Sequence, residues 1–196
     1  MHSLVIIIGH EDIAEAMAPY SGNIEVEEWC RGEVSDGERK RMLDYYINRG
    51  YSFESFDACY ADKGKDWNNN AWRKDDDGVW REYSTYNPNS QWDWYEIGGR
   101  WAGRLQLKEG AEPIAPINFS WGWGAADKQE VLDMVPKRAD QAYLKDIANA
   151  DDLYAGAVII NGEWIDTSEG YDFSNISDYL KDLPGDTLVT CVDYHI

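Results

Sequence analysis

The segment Asn87-Pro-Asn-Ser-Gln-Trp-Asp-Trp-Tyr-Glu-Ile-Gly-Gly-Arg-Trp-Ala-Gly-Arg104 places three tryptophans, a tyrosine, two arginines and a Gly-Gly pair within eighteen residues. Each indole must bury its ring while its N–H finds an acceptor. Such a density beside a sharp turn describes a built surface, either a corner of the core or a platform for a ligand. Ile97-Gly-Gly-Arg100 suits a two-residue hairpin turn with positive φ at both glycines. With Gly98-Gly99 as that turn, the register follows. Ile97 faces Arg100, Glu96 faces Trp101, Tyr95 faces Ala102, Trp94 faces Gly103 and Asp93 faces Arg104. One face then carries Trp92, Trp94, Trp101 and Leu105. The other carries Tyr95, Ile97, Arg100 and an Asp93–Arg104 ion pair contributing about 0.2–1 kcal/mol. Either the tryptophan face is core and the ion pair is solvated, or one face packs and the other binds. In the binding case Arg100 or Arg104 clamps an anion and Trp92 or Trp101 stacks on a base. The backbone N–H groups of Gly98 and Gly99 add anion contacts.

The chain is very acidic, with a formal net charge of −19 over 196 residues. The acid is unevenly spread. Residues 1–36 hold eight acids and one base (Arg31), and residues 146–196 hold eleven acids and one base (Lys181). Between Trp67 and Gly110 the balance is seven acids to six bases, so an anion approaches most easily at the tryptophan-rich centre. Direct binding to a long nucleic acid is disfavoured, because phosphate contacts need a basic surface. The acidic ends serve solubility or attract a basic partner. No run approaches the roughly 20 apolar residues needed to span a bilayer, so no membrane association is expected. The opening Leu4–Ile8 run reads as a buried strand and not as a signal peptide. Cys30, Cys59 and Cys191 are odd in number and lack CxxC spacing, which points to a reducing cytoplasm without disulfides.

Periodicity and punctuation predict a single domain over 1–196 of α+β class. Its sheet is largely antiparallel, with two hairpins and four to five short helices. Residues 3–9 form a buried strand, placed beside a closing strand over Thr187–Ile196. Short helices are expected over Glu11–Met17, after the capping box Ser35-Asp-Gly-Glu38, and between Asp127 and Pro136. Two more are expected over Lys137–Ala148, with Ala139, Tyr143 and Ile147 on one face, and over Ser174–Leu183. Residues 61–78 read as a mobile loop or insertion, and Val79–Thr85 as a strand. Besides Gly98-Gly99, the turn Asn161-Gly162 joins Ala157–Ile160 to Glu163–Asp166.

The last strand aligns Cys191, Asp193 and His195 on one face, with Val192, Tyr194 and Ile196 on the other. An aspartate beside a histidine can orient the imidazole as a general base. Side chains two residues apart on one strand are nonetheless too distant to hydrogen-bond directly, and nothing marks Cys191 as an activated thiolate. Asp140-Gln141 can reach a site or lie solvated. With histidine only at positions 2, 10 and 195 and no metal-ligand spacing, neither a metal nor another cofactor is expected.

Three blocks together resemble a family of uncharacterised proteins common in tailed bacteriophages and prophages. They are Asn87–Trp101 (NPxSxWDWYxIGGRW), Arg138-Ala-Asp-Gln-Ala142, and Leu183–Ile196, which ends Val-Asp-Tyr-His-Ile. The opening strand followed by Glu15-Ala-Met-Ala-Pro-Tyr20 resembles the start of that family. The chain departs from the pattern in residues 61–78 and at Tyr194, where cysteine is usual. Carried over by residue, the motif positions are Trp92, Asp93, Trp94, Gly98, Gly99, Arg100, Trp101, Asp140, Gln141, Asp193 and His195.

The resemblance implies a phage or prophage origin and no particular mechanism; with it, the chain is expected to be an accessory protein, for host takeover or counter-defence, acting in the host bacterial cytoplasm. The leading expectation is binding of a small anionic or nucleotide-like ligand without turnover. The candidate site comprises Trp92, Asp93, Trp94, Tyr95, Gly98, Gly99, Arg100, Trp101, Arg104, Asp140, Gln141, Asp193 and His195. Two alternatives stand beside it: an acidic DNA mimic that inhibits a basic host nucleic-acid enzyme, and a hydrolase using Asp193 and His195. The sequence leaves the oligomeric state open, a homodimer included.

Overall fold

The computed structural model describes residues 1–64, 70–167 and 172–196. In chain order the elements are β1 (His2–Ile8), α1 (Ile13–Met17), β2 (Glu25–Glu33), α2 (Asp36–Ile47), α3 (Phe56–Lys63), β3 (Asn70–Lys74) and β4 (Trp80–Tyr86). There follow β5 (Trp94–Ile97), β6 (Leu105–Gln106), α4 (Ala125–Asp133), β7 (Arg138–Ala139), β8 (Gln141–Tyr143), β9 (Tyr154–Ala155) and β10 (Ala157–Ile160). The last are β11 (Glu163–Asp166), β12 (Ser174–Asn175), α5 (Ser177–Leu180) and β13 (Leu188–His195). The fold is α+β with mostly antiparallel pairing. Two compact units make up the chain: Gly22–Pro88, and Met1–Ser21 together with Asn89–Ile196. Among the described residues no helix is long and apolar enough to cross a membrane.

The larger unit is organised around β1. This strand pairs antiparallel with β13, Leu4 opposite Asp193 and Ile8 opposite Val189. On its other edge it pairs parallel with β10. Leu4 through Ile8 are all at most 2% exposed because both faces of the sheet are covered. Leu4, Ile6 and Ile8 pack with Leu105, Ile147 and Leu153, while Val5 and Ile7 pack with Ile13, Met17 and Val192. That double burial explains a continuous apolar run in place of alternation, and each buried aliphatic side chain contributes about 1.5–3 kcal/mol. The Asn161-Gly162 turn joins β10 to β11 as the sequence predicts, with φ of 53° and 78°.

The Gly98-Gly99 turn is a correction. Both glycines have positive φ, 70° and 63°, but the turn closes no hairpin. β5 pairs with β13, Ile97 opposite Val192 and Trp94 opposite His195, and β6 pairs with β7. The local return segment offers β5 only Ala102 and Gly103, whereas β13 lets Tyr95 and Ile97 pack on the second apolar cluster. A second correction concerns Lys137–Ala148, which forms β7, β8 and a 3-10 turn over Leu144–Asp146 instead of a helix. Ala142 pairs with Val189 of β13, and Ala139 pairs with Leu105. The helix expected over Ser174–Leu183 shrinks to α5, preceded by β12.

In the smaller unit β2, β4 and β3 form an antiparallel sheet in that order. The Ser35 capping box opens α2: Glu38 N–H donates to Ser35 Oγ at 3.2 Å, and Ser35 N–H donates to Glu38 Oε2 at 2.9 Å. Within the span 61–78, α3 runs to Lys63 and β3 takes Asn70–Lys74, where a loop is expected. Residues 65–69 of that expected loop lie outside the described residues. The second hairpin of the molecule is β3–β4, where Arg81 bonds Asp75 at 2.6 Å and Asp77 at 2.7 Å across the turn. The core of this unit is aromatic: Tyr60 stacks on Trp72, and Phe56 meets Trp80 edge-on at 5.0 Å.

Candidate functional site

The sequence blocks of the larger unit converge on Gly98 and Gly99. Gly98 N–H donates to the Cys191 carbonyl at 2.8 Å, and Cys191 N–H donates to the Asp140 carbonyl at 2.9 Å. A Cβ on Gly98 would overlap the Asp140 carboxylate, and one on Gly99 would lie 2.7 Å from Asp193 Cβ and Oδ2. The glycine pair is therefore a spacer between two buried carboxylates. Asp140 is 3% exposed and accepts from Gly103 N–H at 2.6 Å and Asn118 N–H at 2.7 Å. Burial pushes its carboxyl pKa upward, and the two backbone donors pull it the other way. Asp193 is fully buried, and its Oδ2 accepts the Arg100 backbone N–H at 3.0 Å. One aspartate thus fixes the backbone entering the 98–103 turn region, and the other fixes its exit.

Two histidines border Asp193. His2 Nδ1 lies 2.9 Å from Asp193 Oδ1, and His195 Nδ1 lies 2.8 Å from Asp93 Oδ1. The two imidazoles meet edge to face at 5.1 Å, and Trp94 meets His2 at 5.8 Å. Each Nδ1 is thus engaged by a carboxylate. The His195 contact holds the Asp93 carboxyl below its ordinary pKa. Glu96 stands directly across from Asp193. Burial first, and the Asp193 charge second, push its carboxyl upward.

On the side-chain side of the same turn region lies a cleft of about 380 Å³. Its walls include Arg100, Trp101, Arg104, Arg138, Asp152 and Tyr154. Arg138 precedes buried Ala139 in β7, while Arg100 and Arg104 flank the 101–103 turn. Among the described residues none of the three guanidinium groups forms an ion pair, although 37 acids surround 18 bases in the sequence. Arg138 Nε and Trp101 Nε1 are buried and find no hydrogen-bond partner among the described residues. Buried unsatisfied donors cost about 1–3 kcal/mol each.

The expected site residues divide accordingly. Arg100, Trp101 and Arg104 line the cleft. Trp92 and Tyr95 serve packing: the Trp92 N–H donates to the Met17 carbonyl at 2.9 Å, and the two rings meet at 4.8 Å. Trp94 is 45% exposed beside His2. Gly98, Gly99, Asp140 and Asp193 build the turn. Gln141 donates to Thr190 Oγ1 at 3.2 Å, bracing β8 against β13. Asp93 partners His195 and not Arg104, and His2 and not His195 takes Asp193. The cysteine on that strand, Cys191, is fully buried, and its thiol pKa is pushed far up by burial and by Asp140, so it is no nucleophile.

Sequence reasoning missed His2, Glu96, Asn118, Arg138, Asp152 and Tyr154 as members of these clusters. Only Arg138 carried a signal, as the first residue of the Arg-Ala-Asp-Gln-Ala block. Among the described residues no group of three or more His, Cys, Asp or Glu is placed to hold a metal ion. No protein-family model, no curated protein and no solved structure matches the chain.

Proposed function

We propose that the protein binds a small anionic, nucleotide-like ligand without turnover in the cleft between Arg100, Arg104 and Arg138. The observation that carries this reading is the set of three guanidinium groups that find no carboxylate partner among the described residues, around one cleft of a protein of net charge −19. Arginine matches phosphate and carboxylate oxygens bidentately. The cleft volume falls within the roughly 300–1,000 Å³ range of small-molecule sites. With the resemblance to the phage family, the ligand would be a host signal or metabolite and the setting a host bacterial cytoplasm. The test is a thermal-shift panel of mono-, di- and cyclic nucleotides with inorganic phosphate and pyrophosphate. A binder at 100 times its Kd stabilises by about 2.7 kcal/mol; a flat panel would remove the proposal.

A second reading, general acid–base chemistry, is favoured by one observation. His195 is held through Nδ1 by Asp93, and its side chain is half-exposed. The Asp93–His195 pair then replaces Asp193–His195 as the candidate dyad. Full biological effect from a His195→Ala variant would exclude it.

A further inference from the structure

Arg100 borders a second cleft, of about 400 Å³, formed with Ser120, Trp121, Trp123 and Asp127. Trp121 is 96% exposed there, more than any other large hydrophobic side chain described. Its loop is nevertheless pinned. Ser120 N–H and Trp123 Nε1–H both donate to the Gly99 carbonyl, at 3.2 and 3.0 Å. Trp123 packs edge-on against Phe119 at 5.1 Å. The carbonyl that anchors this loop belongs to the residue just before Arg100, and Arg100 N–H is itself tied to buried Asp193. Trp121 thus lies between two residues tied to the Gly99 carbonyl, and it and Arg100 line one cleft.

We infer that the ligand is a nucleoside phosphate whose phosphate lies among Arg100, Arg104 and Arg138 and whose base stacks on Trp121. This rests on the anion-binding reading above and adds the chemical class of the ligand. A bare anion has no use for Trp121, and a neutral aromatic has none for three unpaired arginines. A base on a phosphate-bearing sugar uses both, with Arg100 at the point where the two clefts meet. Indole–base stacking is tolerant of base identity. Asp127, the one acid of the second cleft, would accept from sugar hydroxyls or an exocyclic amine and repel a second phosphate.

The experiment compares pyrophosphate with the four common nucleoside diphosphates by titration calorimetry, using the full chain and its Trp121→Ala and Arg138→Met variants. The full chain should bind at least one nucleoside diphosphate about tenfold or more tighter than pyrophosphate, as one stacked base provides. Trp121→Ala should erase that ratio and leave pyrophosphate affinity unchanged, and Arg138→Met should weaken both probes. Equal affinities in the full chain would overturn the nucleoside assignment, and a ratio that survives Trp121→Ala would overturn the placement of the base on Trp121, each leaving the anion site standing. Binding of neither probe would overturn both.

Discussion

Gly98 lies with its Cα against the Asp140 carboxylate, and no side chain fits between them. The turn region that carries Arg100 and Arg104 is therefore set by a buried acid some forty residues away in sequence. Gly98→Ala should lose about 2–4 kcal/mol, combining the left-handed φ of 70° with overlap onto the carboxylate. Gly162→Ala is the control: its φ is 78°, but nothing lies within 4 Å of a new Cβ. It should lose only about 1–2 kcal/mol. Urea unfolding of both variants separates steric overlap from backbone strain, and equal losses would contradict the spacer role.

Asp140→Asn tests the carboxylate directly. Asp140 satisfies two backbone N–H groups, from Gly103 and Asn118. An amide has one acceptor oxygen, so one donor would face an NH2 group at a cost of about 1–3 kcal/mol. The variant should also lower affinity in the arginine cleft, because Gly103 lies between Arg100 and Arg104. Unchanged stability, measured by urea midpoint at constant m-value, would contradict this.

Glu96 gives a pH-dependent prediction. Its folded pKa is raised by burial and by Asp193. A raised carboxyl pKa contributes stability that is full below the unfolded value and is lost as pH rises through the folded one. Glu96→Gln removes that loss. The variant should melt higher than the parent at pH 7, with the difference fading as pH falls to about 4. A constant difference across that window would mean that Glu96 acts by packing alone.

Cysteine accessibility is a further check on the larger unit. Cys30 is exposed, while Cys59 and Cys191 are buried with thiol pKa values pushed upward by desolvation. A thiol reagent should modify one cysteine in the native protein and all three after unfolding. Rapid native modification of Cys191 would mean that β13 is not buried as described.

Much of the fold was legible in the sequence where one local cause dominates. The β-branched run of β1, the Ser35 capping box and the Asn161-Gly162 turn each specify structure over a few residues. The Gly98-Gly99 pair misled because positive φ at both glycines is correct, but hairpin closure also depends on the partner strand. That partner, β13, comes about ninety-five residues later in the chain. In Lys137–Ala148 the spacing of four between Ala139, Tyr143 and Ile147 fits a helix face, yet an even spacing also fits one face of a strand. Arg100 and Arg104 stood out as candidates from their neighbourhood, and the structure places both on one cleft. Arg138 carried only its place at the head of the Arg-Ala-Asp-Gln-Ala block, and Tyr154 carried nothing, because tertiary packing alone brings them to the same cleft. The division at Gly22 and Pro88 leaves no clear linker composition.

Calorimetric titration with pyrophosphate at low ionic strength tests the central claim, that Arg100, Arg104 and Arg138 form an anion site. The parent protein should bind, with affinity falling as salt is raised. Arg104→Met and Arg138→Met should each weaken binding about tenfold or more, as loss of a charge-assisted hydrogen bond of about 1.5–3 kcal/mol predicts. Arg73→Met, which removes an arginine already paired with Glu28 in the smaller unit, should bind like the parent. No binding by the parent, or equal binding by the Arg138→Met variant, would contradict the account.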